Sequence, residues 1–342
     1  MPPRVFSVAG FRRFLKQRTM QKNLPFYGCR SALVHTSDAL VRALDAADGD
    51  PERVAQLLES PTAHEADFEL AGHAVSAAAV MHQRSERHHA GVQAETHFLA
   101  GLAVKRSHER MLVEATVHAR AHRACPRHVA AVCGLVTATG RESSALVTEY
   151  AGHDGYRFVR SEPEYADALE WLEQVARCVA ALGEDGIMHG DLKLNNTCRD
   201  EGGTWRVIDF GLSMLVMPSG RLCETPYIYG ENAPMNASFD LRVLIWSCIL
   251  HGKSRGPWDF WSSRFECEYA SAWALAQTAW RAAARERGKA MTRALHAMYR
   301  PVCARHDAEF EPLRVLDTLR ILREAHARAE AERNRELDAP AR

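Results

Sequence analysis

Apolar positions recur along this chain with two different periods, and the switches between them set the expected elements. Short apolar runs rich in Val, Ala and Leu over Phe98–Lys105, His128–Thr137 and Ala145–Tyr150 predict strands. From Tyr165 the period lengthens: Tyr165, Leu169, Leu172, Ala176 and Val179 fall on one face of a helix. Ser161 and Glu164 around Pro163 predict a capping box at its start, and Gly183 predicts its end. Ahead of the strands, the stretch opened by Ser37 and the one opened by Pro51 read as two short helices, the second with its proline in the first turn. Phe239–Leu250 reads as an apolar helix led by one acid, Asp240. The stretch 271–333 is helical in composition, with Leu313, Leu316, Leu319 and Leu322 marking a buried stripe and a charged helical tail beyond Ala325. The polar turn Arg199–Gly203 ahead of Thr204–Ile208 predicts a hairpin. These patterns divide the chain into a helical extension (1–64), a strand-rich part (65–150), a helical part (151–325) and a tail (326–342).

Composition narrows the class without choosing a function. With 342 residues, 46% hydrophobic and 25% charged, the chain can bury a sizeable core. Its formal net charge is zero, so charge alone argues for neither nucleic acid nor an anionic membrane. No run approaches the roughly 20 apolar residues of a membrane span. The nine cysteines include no C-x-x-C and follow no secretory signal, which predicts reduced thiols and a cytoplasmic or nuclear protein. Seventeen histidines are many, but no set has standard metal-ligand spacing, so they are expected to be solvated or satisfied. Residues 1–30 carry seven basic side chains and no acid, which fits a basic arm for RNA or a membrane surface, a transit peptide, or a solvated terminus.

The chemistry concentrates in two blocks, His189-Gly190-Asp191-Leu192-Lys193-Leu194-Asn195-Asn196 and Val207-Ile208-Asp209-Phe210-Gly211, joined by the predicted hairpin. Phosphoryl transfer needs a base or orienter for the incoming hydroxyl, a cation near the transferred group, and hard oxygen ligands for magnesium. Asp191, Lys193, and Asn196 with Asp209 offer these in turn.

The two blocks resemble the catalytic loop and the metal-binding Asp-Phe-Gly of the eukaryotic protein kinase superfamily. Other stretches extend the resemblance. Phe98–Lys105 is similar to the strand ending in the phosphate-binding lysine, which implies Lys105 paired with Glu114, with Glu109 behind it. Phe68–Val80 sits where the family carries its glycine-rich loop, with Gly72 retained but Ala71, His73 and Ser76 at the glycine positions. Ala145–Tyr150 resembles the hinge, implying that the backbone of Glu149 and Ala151 meets adenine with Thr148 behind. Glu224–Glu231 resembles the end of an activation segment, offering Ser213, Ser219, Thr225, Tyr227 and Tyr229 as phosphate acceptors. Asp240 matches the helix whose Asp bonds the catalytic-loop backbone, and Gly190 stands where many kinases have an Arg. The overall form is closest to the vaccinia-related and casein kinase branch and to kinases of large DNA viruses.

Membership would imply an α+β, two-lobed fold: a five-stranded antiparallel sheet with one helix, a mainly helical lobe, and ATP between them. It would imply ATP and Mg2+ as cofactors and Ser/Thr hydroxyls of protein substrates as acceptors. Two alternatives stand beside it. Aminoglycoside and choline kinases share H-G-D-x-x-x-x-N with I-D-F, but usually lack the lysine at the position of Lys193. A pseudokinase scaffold would explain the worn glycines, but would not need the remaining set intact.

Overall fold

The computed structural model describes residues 32–58, 68–70, 73–75, 80, 88–90, 95–99, 101–107, 111–138, 144–224, 237–252, 256–262 and 308–337. The chain opens with β1 (Ala32–His35), α1 (Ser37–Ala46), α2 (Pro51–Leu58), β2 (Phe68–Leu70), β3 (His73–Val75) and β4 (His88–Ala90). Next come β5 (Glu95–Leu99), β6 (Leu102–Ser107), α3 (Leu112–Ala124), β7 (Val132–Ala138), β8 (Ser144–Glu149), β9 (His153–Asp154) and α4 (Gly155–Arg160). The remainder holds α5 (Tyr165–Glu184), β10 (Ile187–Met188), β11 (Thr197–Arg199), β12 (Trp205–Val207), β13 (Met214–Val216), β14 (Leu222–Glu224), α6 (Ala237–His251) and α7 (Pro312–Leu337). Two compact units result: unit 1 is Met1–Pro126, Ala130–Ala151 and Leu215–Thr225, and unit 2 is Arg127–Val129, Gly152–Met214 and Pro226–Arg342.

Unit 1 is built on a six-stranded sheet in the order β1-β7-β8-β6-β5-β4. Each neighbouring pair is antiparallel. Along β6, Leu102 and Val104 are buried while Ala103 and Lys105 are half-buried, so the pleat turns Lys105 to the face opposite Val104. Helix α3 packs on β7, and α1 and α2 pack on α3. Helix α1 starts where the Thr36 hydroxyl accepts the Ala39 N–H (3.3 Å), and it buries Leu40, Val41 and Leu44. Helix α2 starts where Asp50 accepts the N–H groups of Glu52 and Arg53, each at 3.1 Å, with Pro51 in the first turn.

Of the stretch expected to form an N-terminal extension, the described residues 32–58 pack into this unit: Ala32–His35 is the sixth strand, paired with β7 from Ala32↔Ala138 to His35↔Leu135. The apolar faces of α1 and α2 need α3 to cover them, so they fold into the unit. Strands β2 and β3, which flank Gly72 in the sequence, do not pair with the lysine strand. They pair with each other (Phe68↔Val75, Leu70↔His73), and β2 lies against β7. The strand next to β6 is β5 (Leu99↔Leu102), followed by β4 (Ala90↔Glu95). Short hairpins close with little loop entropy, and sequence neighbours therefore win this pairing. Gly72 itself, with Ala71 and Ser76, lies outside the described residues.

In unit 2, α5 buries Leu169, Leu172, Ala176 and Val179 as its spacing predicts. Its start differs, because Glu164 makes no side-chain cap bond and Ser161 instead ends α4, its hydroxyl donating to the Phe158 carbonyl at 2.8 Å. Its end differs too: Gly183 is helical, and the break comes after Glu184, with Gly186 at φ +74°. Trp171 of α5 sits in an aromatic cluster with Phe158 (5.7 Å between ring centres), Trp205 (5.5 Å) and Trp258 (6.4 Å). Helix α7 lies along α5, with Arg323 on Glu173 at 2.6 Å and His326 against Tyr165. Of the leucine stripe expected there, Leu319 is buried, beside Val315, while Leu316 and Leu322 are half-buried and Leu313 is 72% exposed, because every-third spacing drifts off a face of period 3.6. The helix runs on through the charged stretch beyond Ala325, continuous to Leu337. Helix α6 is apolar on all sides and buried from Ser238 to Trp246, which places Asp240 in the core.

Candidate active site

The hairpin β11–β12 brings the two blocks together. Thr197 pairs with Val207 and Arg199 with Trp205, and the ladder continues as the Ile208 N–H donates to the Asn196 carbonyl at 3.0 Å. Asp200 closes the turn by accepting the Thr204 N–H at 2.9 Å and pairing with Arg206 at 3.0 Å. Asn196 and Asp209 therefore leave adjacent strand ends on the same side.

The loop before β11 is fixed almost wholly through its backbone. Both oxygens of buried Asp240 accept main-chain N–H groups, Oδ2 from His189 at 2.7 Å and Oδ1 from Gly190 at 2.9 Å. Burial pushes the Asp240 carboxyl up, and the His189 side chain and the two amides oppose that push. Gly190 has φ +79°, and a Cβ there would overlap the Leu212 carbonyl oxygen, so no other residue fits. His189, fully buried, takes the Asp191 N–H at Nδ1 (3.2 Å), which leaves Nε2–H to donate to the Ile208 carbonyl (2.9 Å). Phe210 packs on the His189 ring at 4.8 Å, and the Ser213 hydroxyl donates to the His189 carbonyl at 2.9 Å. Asp209 adopts φ +65° between these anchors.

On this frame, Asp191 is 8% exposed; its Oδ2 accepts from Lys193 Nζ at 2.5 Å and from Asn196 Nδ2 at 3.2 Å. Asn196 Nδ2 also donates to the Asp191 carbonyl at 2.8 Å, which leaves its Oδ1 as an acceptor. Burial raises the Asp191 carboxyl above the usual carboxylate range; Lys193 pulls it down and Asp209 pushes it further up. Asn196 and Asp209 thus present hard oxygens at one end of the hairpin. A single carboxylate with an amide oxygen suits magnesium, which is usually bound by one or two carboxylates together with substrate phosphates. Among the described residues no group of three His, Cys, Asp or Glu side chains forms a metal cage.

Unit 1 carries the second set. Lys105 Nζ meets Glu114 Oε1 at 2.6 Å, with the side chains 23% and 10% exposed. The short gap closes because α3 begins five positions after β6 ends, and its first turn carries Glu114. Its N-terminus is held by the Met111 N–H donating to the buried Ser144 hydroxyl at 3.0 Å. Glu109 lies outside the described residues. Glu149 clasps Ala131 twice: its N–H donates to the Ala131 carbonyl (3.0 Å) and its Oε1 accepts the Ala131 N–H (2.9 Å). Ala151 ends this stretch of unit 1, followed by Gly152 at φ +95°.

Of the residues expected from the sequence, Asp191, Lys193 and Asn196 meet on one loop of unit 2 with Asp240 beneath it, and Lys105 meets Glu114 in unit 1. Sequence reasoning missed the two-sided use of His189 and the roles of Ser213 and Ser144, for which the sequence holds no signal. Ser213 is fully buried and bonded inward, so it does not belong among exposed acceptor hydroxyls. Thr225, Tyr227 and Tyr229 lie outside the described residues.

Residues 78–226 match the family model described as protein tyrosine and serine/threonine kinase. Among curated relatives, "CBL-interacting protein kinase 25" of Oryza sativa subsp. japonica is 30% identical over 118 residues, 30% of this chain and 23% of that protein. "Mitogen-activated protein kinase HOG1" of Hortaea werneckii is 30% identical over 125 residues, 34% of this chain and 35% of that protein. "NUAK family SNF1-like kinase 2" of Rattus norvegicus is 36% identical over 122 residues, 31% of this chain and 19% of that protein. The match therefore spans about a third or less of each of these relatives' length.

Proposed function

We propose that this chain, which belongs to the eukaryotic-type protein kinase superfamily, transfers the γ-phosphoryl group of ATP to serine or threonine hydroxyls of protein substrates. The observation that carries the reading is a buried Asp191 met by Lys193 at 2.5 Å in a loop whose backbone Asp240 pins. Asp191 Oδ2 is occupied by Lys193 and Asn196, so Oδ1 accepts the proton of the incoming hydroxyl. The raised carboxyl makes Asp191 a stronger base than an exposed aspartate. Lys193 offsets negative charge on the transferred group. Lys105, oriented by Glu114, takes phosphate oxygens of the nucleotide, and the backbone of Glu149 and Ala151 takes its base. Asn196 and Asp209 would hold magnesium, which when bound neutralises phosphate charge as a Lewis acid.

The decisive assay offers the purified chain labelled MgATP with casein, myelin basic protein or histone, against aminoglycosides and choline. Label in protein alone is the expected result. Asp191→Asn should abolish transfer while leaving ATP binding nearly unchanged, because Asp191 serves the acceptor. Asp209→Ala should damage metal-dependent nucleotide binding and turnover together. If both variants bind and turn over MgATP as the parent does, the assignment falls.

A further inference from the structure

After Met214 the chain enters unit 1 and forms the hairpin β13–β14, closed by the Met217 N–H on the Arg221 carbonyl (2.8 Å) and the Gly220 N–H on the Met217 carbonyl (2.8 Å). This hairpin rests on the turn between α1 and α2. There Asp48 (φ +50°) and Gly49 (φ +72°) form a left-handed pair that ends α1, with the Gly49 N–H on the Leu44 carbonyl at 3.1 Å. Gly49 is pressed against buried Met217 and Cys223: a Cβ there would come within 2.7 Å of Met217 Cγ and 3.1 Å of Cys223 Cβ. At the rim, the exposed Ser219 hydroxyl donates to Asp48 Oδ1 at 2.7 Å and accepts the Arg221 N–H at 3.2 Å. Arg221 Nη1 meets Asp50 Oδ2 at 3.1 Å. The same α1 reaches the Glu114 helix through Asp45, whose Oδ1 accepts from Arg120 of α3 at 2.9 Å.

We propose that this contact is a latch holding the segment after Asp209 on the α1–α2 turn, and that a phosphoryl group on Ser219 Oγ releases it. In that modification the bond from the γ-phosphorus of a nucleoside triphosphate to its bridging oxygen breaks and the Ser219 Oγ–phosphorus bond forms. The nucleoside diphosphate leaves, and the hydroxyl proton passes to a carboxylate of the transferring enzyme. The product puts a charge of about −1.5 to −2 where a neutral hydroxyl donated to Asp48, so attraction turns to repulsion. Arg221 cannot rescue the contact. If it stays on Asp50 the phosphate faces Asp48 uncompensated, and if it turns to the phosphate the bridge to Asp50 is gone. The sign is opposite to phosphates that order a loop through new arginine pairs.

The test follows backbone amide exchange by mass spectrometry in the full chain with phosphoserine encoded at 219. Exchange over 214–224 should rise about tenfold or more over the parent, while Ser219→Ala changes it about threefold at most. In Asp48→Asn/Asp50→Asn, both turn geometry and the α2 cap are kept, because asparagine tolerates left-handed φ and caps helices. Phosphoserine in that background should leave exchange within about threefold of the parent. Phosphoserine that exchanges no faster than Ser219→Ala would overturn the proposal, as would equal acceleration with and without the two carboxylates. Acceleration that extends to 165–184 would also overturn it, since that is general unfolding.

Discussion

The loop carrying Asp191 and the pair formed by Lys105 and Glu114 were equally visible as chemistry, yet they are held in opposite ways. Asp191 hangs on a backbone that buried groups grip from several sides: Asp240 from α6, the His189 ring, Ser213 and the Leu212 carbonyl. Glu114 is aimed by the first turn of its helix and by an ion pair to Lys105, whose side chain is 23% exposed. Buried amides that lose their acceptor are costly, whereas an ion pair near solvent contributes little. The first site is rigid by construction; the second is adjustable.

Unfolding measurements can break that contrast, beginning with the largest effect. Gly190→Ala should cost about 2–5 kcal/mol, combining a left-handed residue with overpacking against Leu212, read as a lowered urea midpoint. A midpoint within error of the parent would mean that the loop is looser than described. Asp240→Asn keeps one acceptor and strands one buried N–H, so about 1–3 kcal/mol should be lost, and kcat should fall more than KM rises. Lys105→Met with Glu114→Gln, which removes both charges together, should shift unfolding by less than about 1 kcal/mol yet raise KM for MgATP strongly. A stability loss as large as that of Asp240→Asn would erase the contrast.

The smallest effect is in pH. Burial lowers the pKa of His35 in unit 1 and of His128 in unit 2 from 6.5. Each binds its proton less tightly folded than unfolded, so their stabilising effect is complete above pH 6.5 and is lost as pH falls through that value toward the folded pKa. Urea midpoints should therefore drop between about pH 7.5 and about pH 5.5, and His35→Gln with His128→Gln should flatten the drop. A double variant whose midpoint changes with pH as the parent's does would contradict the burial of both rings.

The blocks around Asp191 and Asp209 were legible because their residues are fixed by local spacing, and a hairpin of predictable turn chemistry joins them. The Lys105 strand was legible for the same reason. What failed were pairings decided at a distance. The sequence around Gly72 has an apolar pattern that any strand partner satisfies, and only the β6-β5-β4 ladder excludes it. Likewise Ala32–His35 carries no sign that its partner is β7, about a hundred residues on. At Gly190 the sequence shows a missing arginine, while the structure shows a glycine required by φ +79° and by the Leu212 carbonyl.

The aromatic cluster around Trp171 has an optical consequence. All seven tryptophans of the chain, from Trp171 onward, fall within unit 2, and unit 1 holds none. Indole emission therefore reports on one unit only, and Trp171, Trp205, Trp258 and Trp261, all buried, should make it blue-shifted when folded. Far-ultraviolet dichroism sees the backbone of both. Recording the two signals on one sample during denaturation separates the units without cutting the chain: coincident curves mean a single cooperative transition, and a dichroism step with no change in emission is unit 1 opening alone.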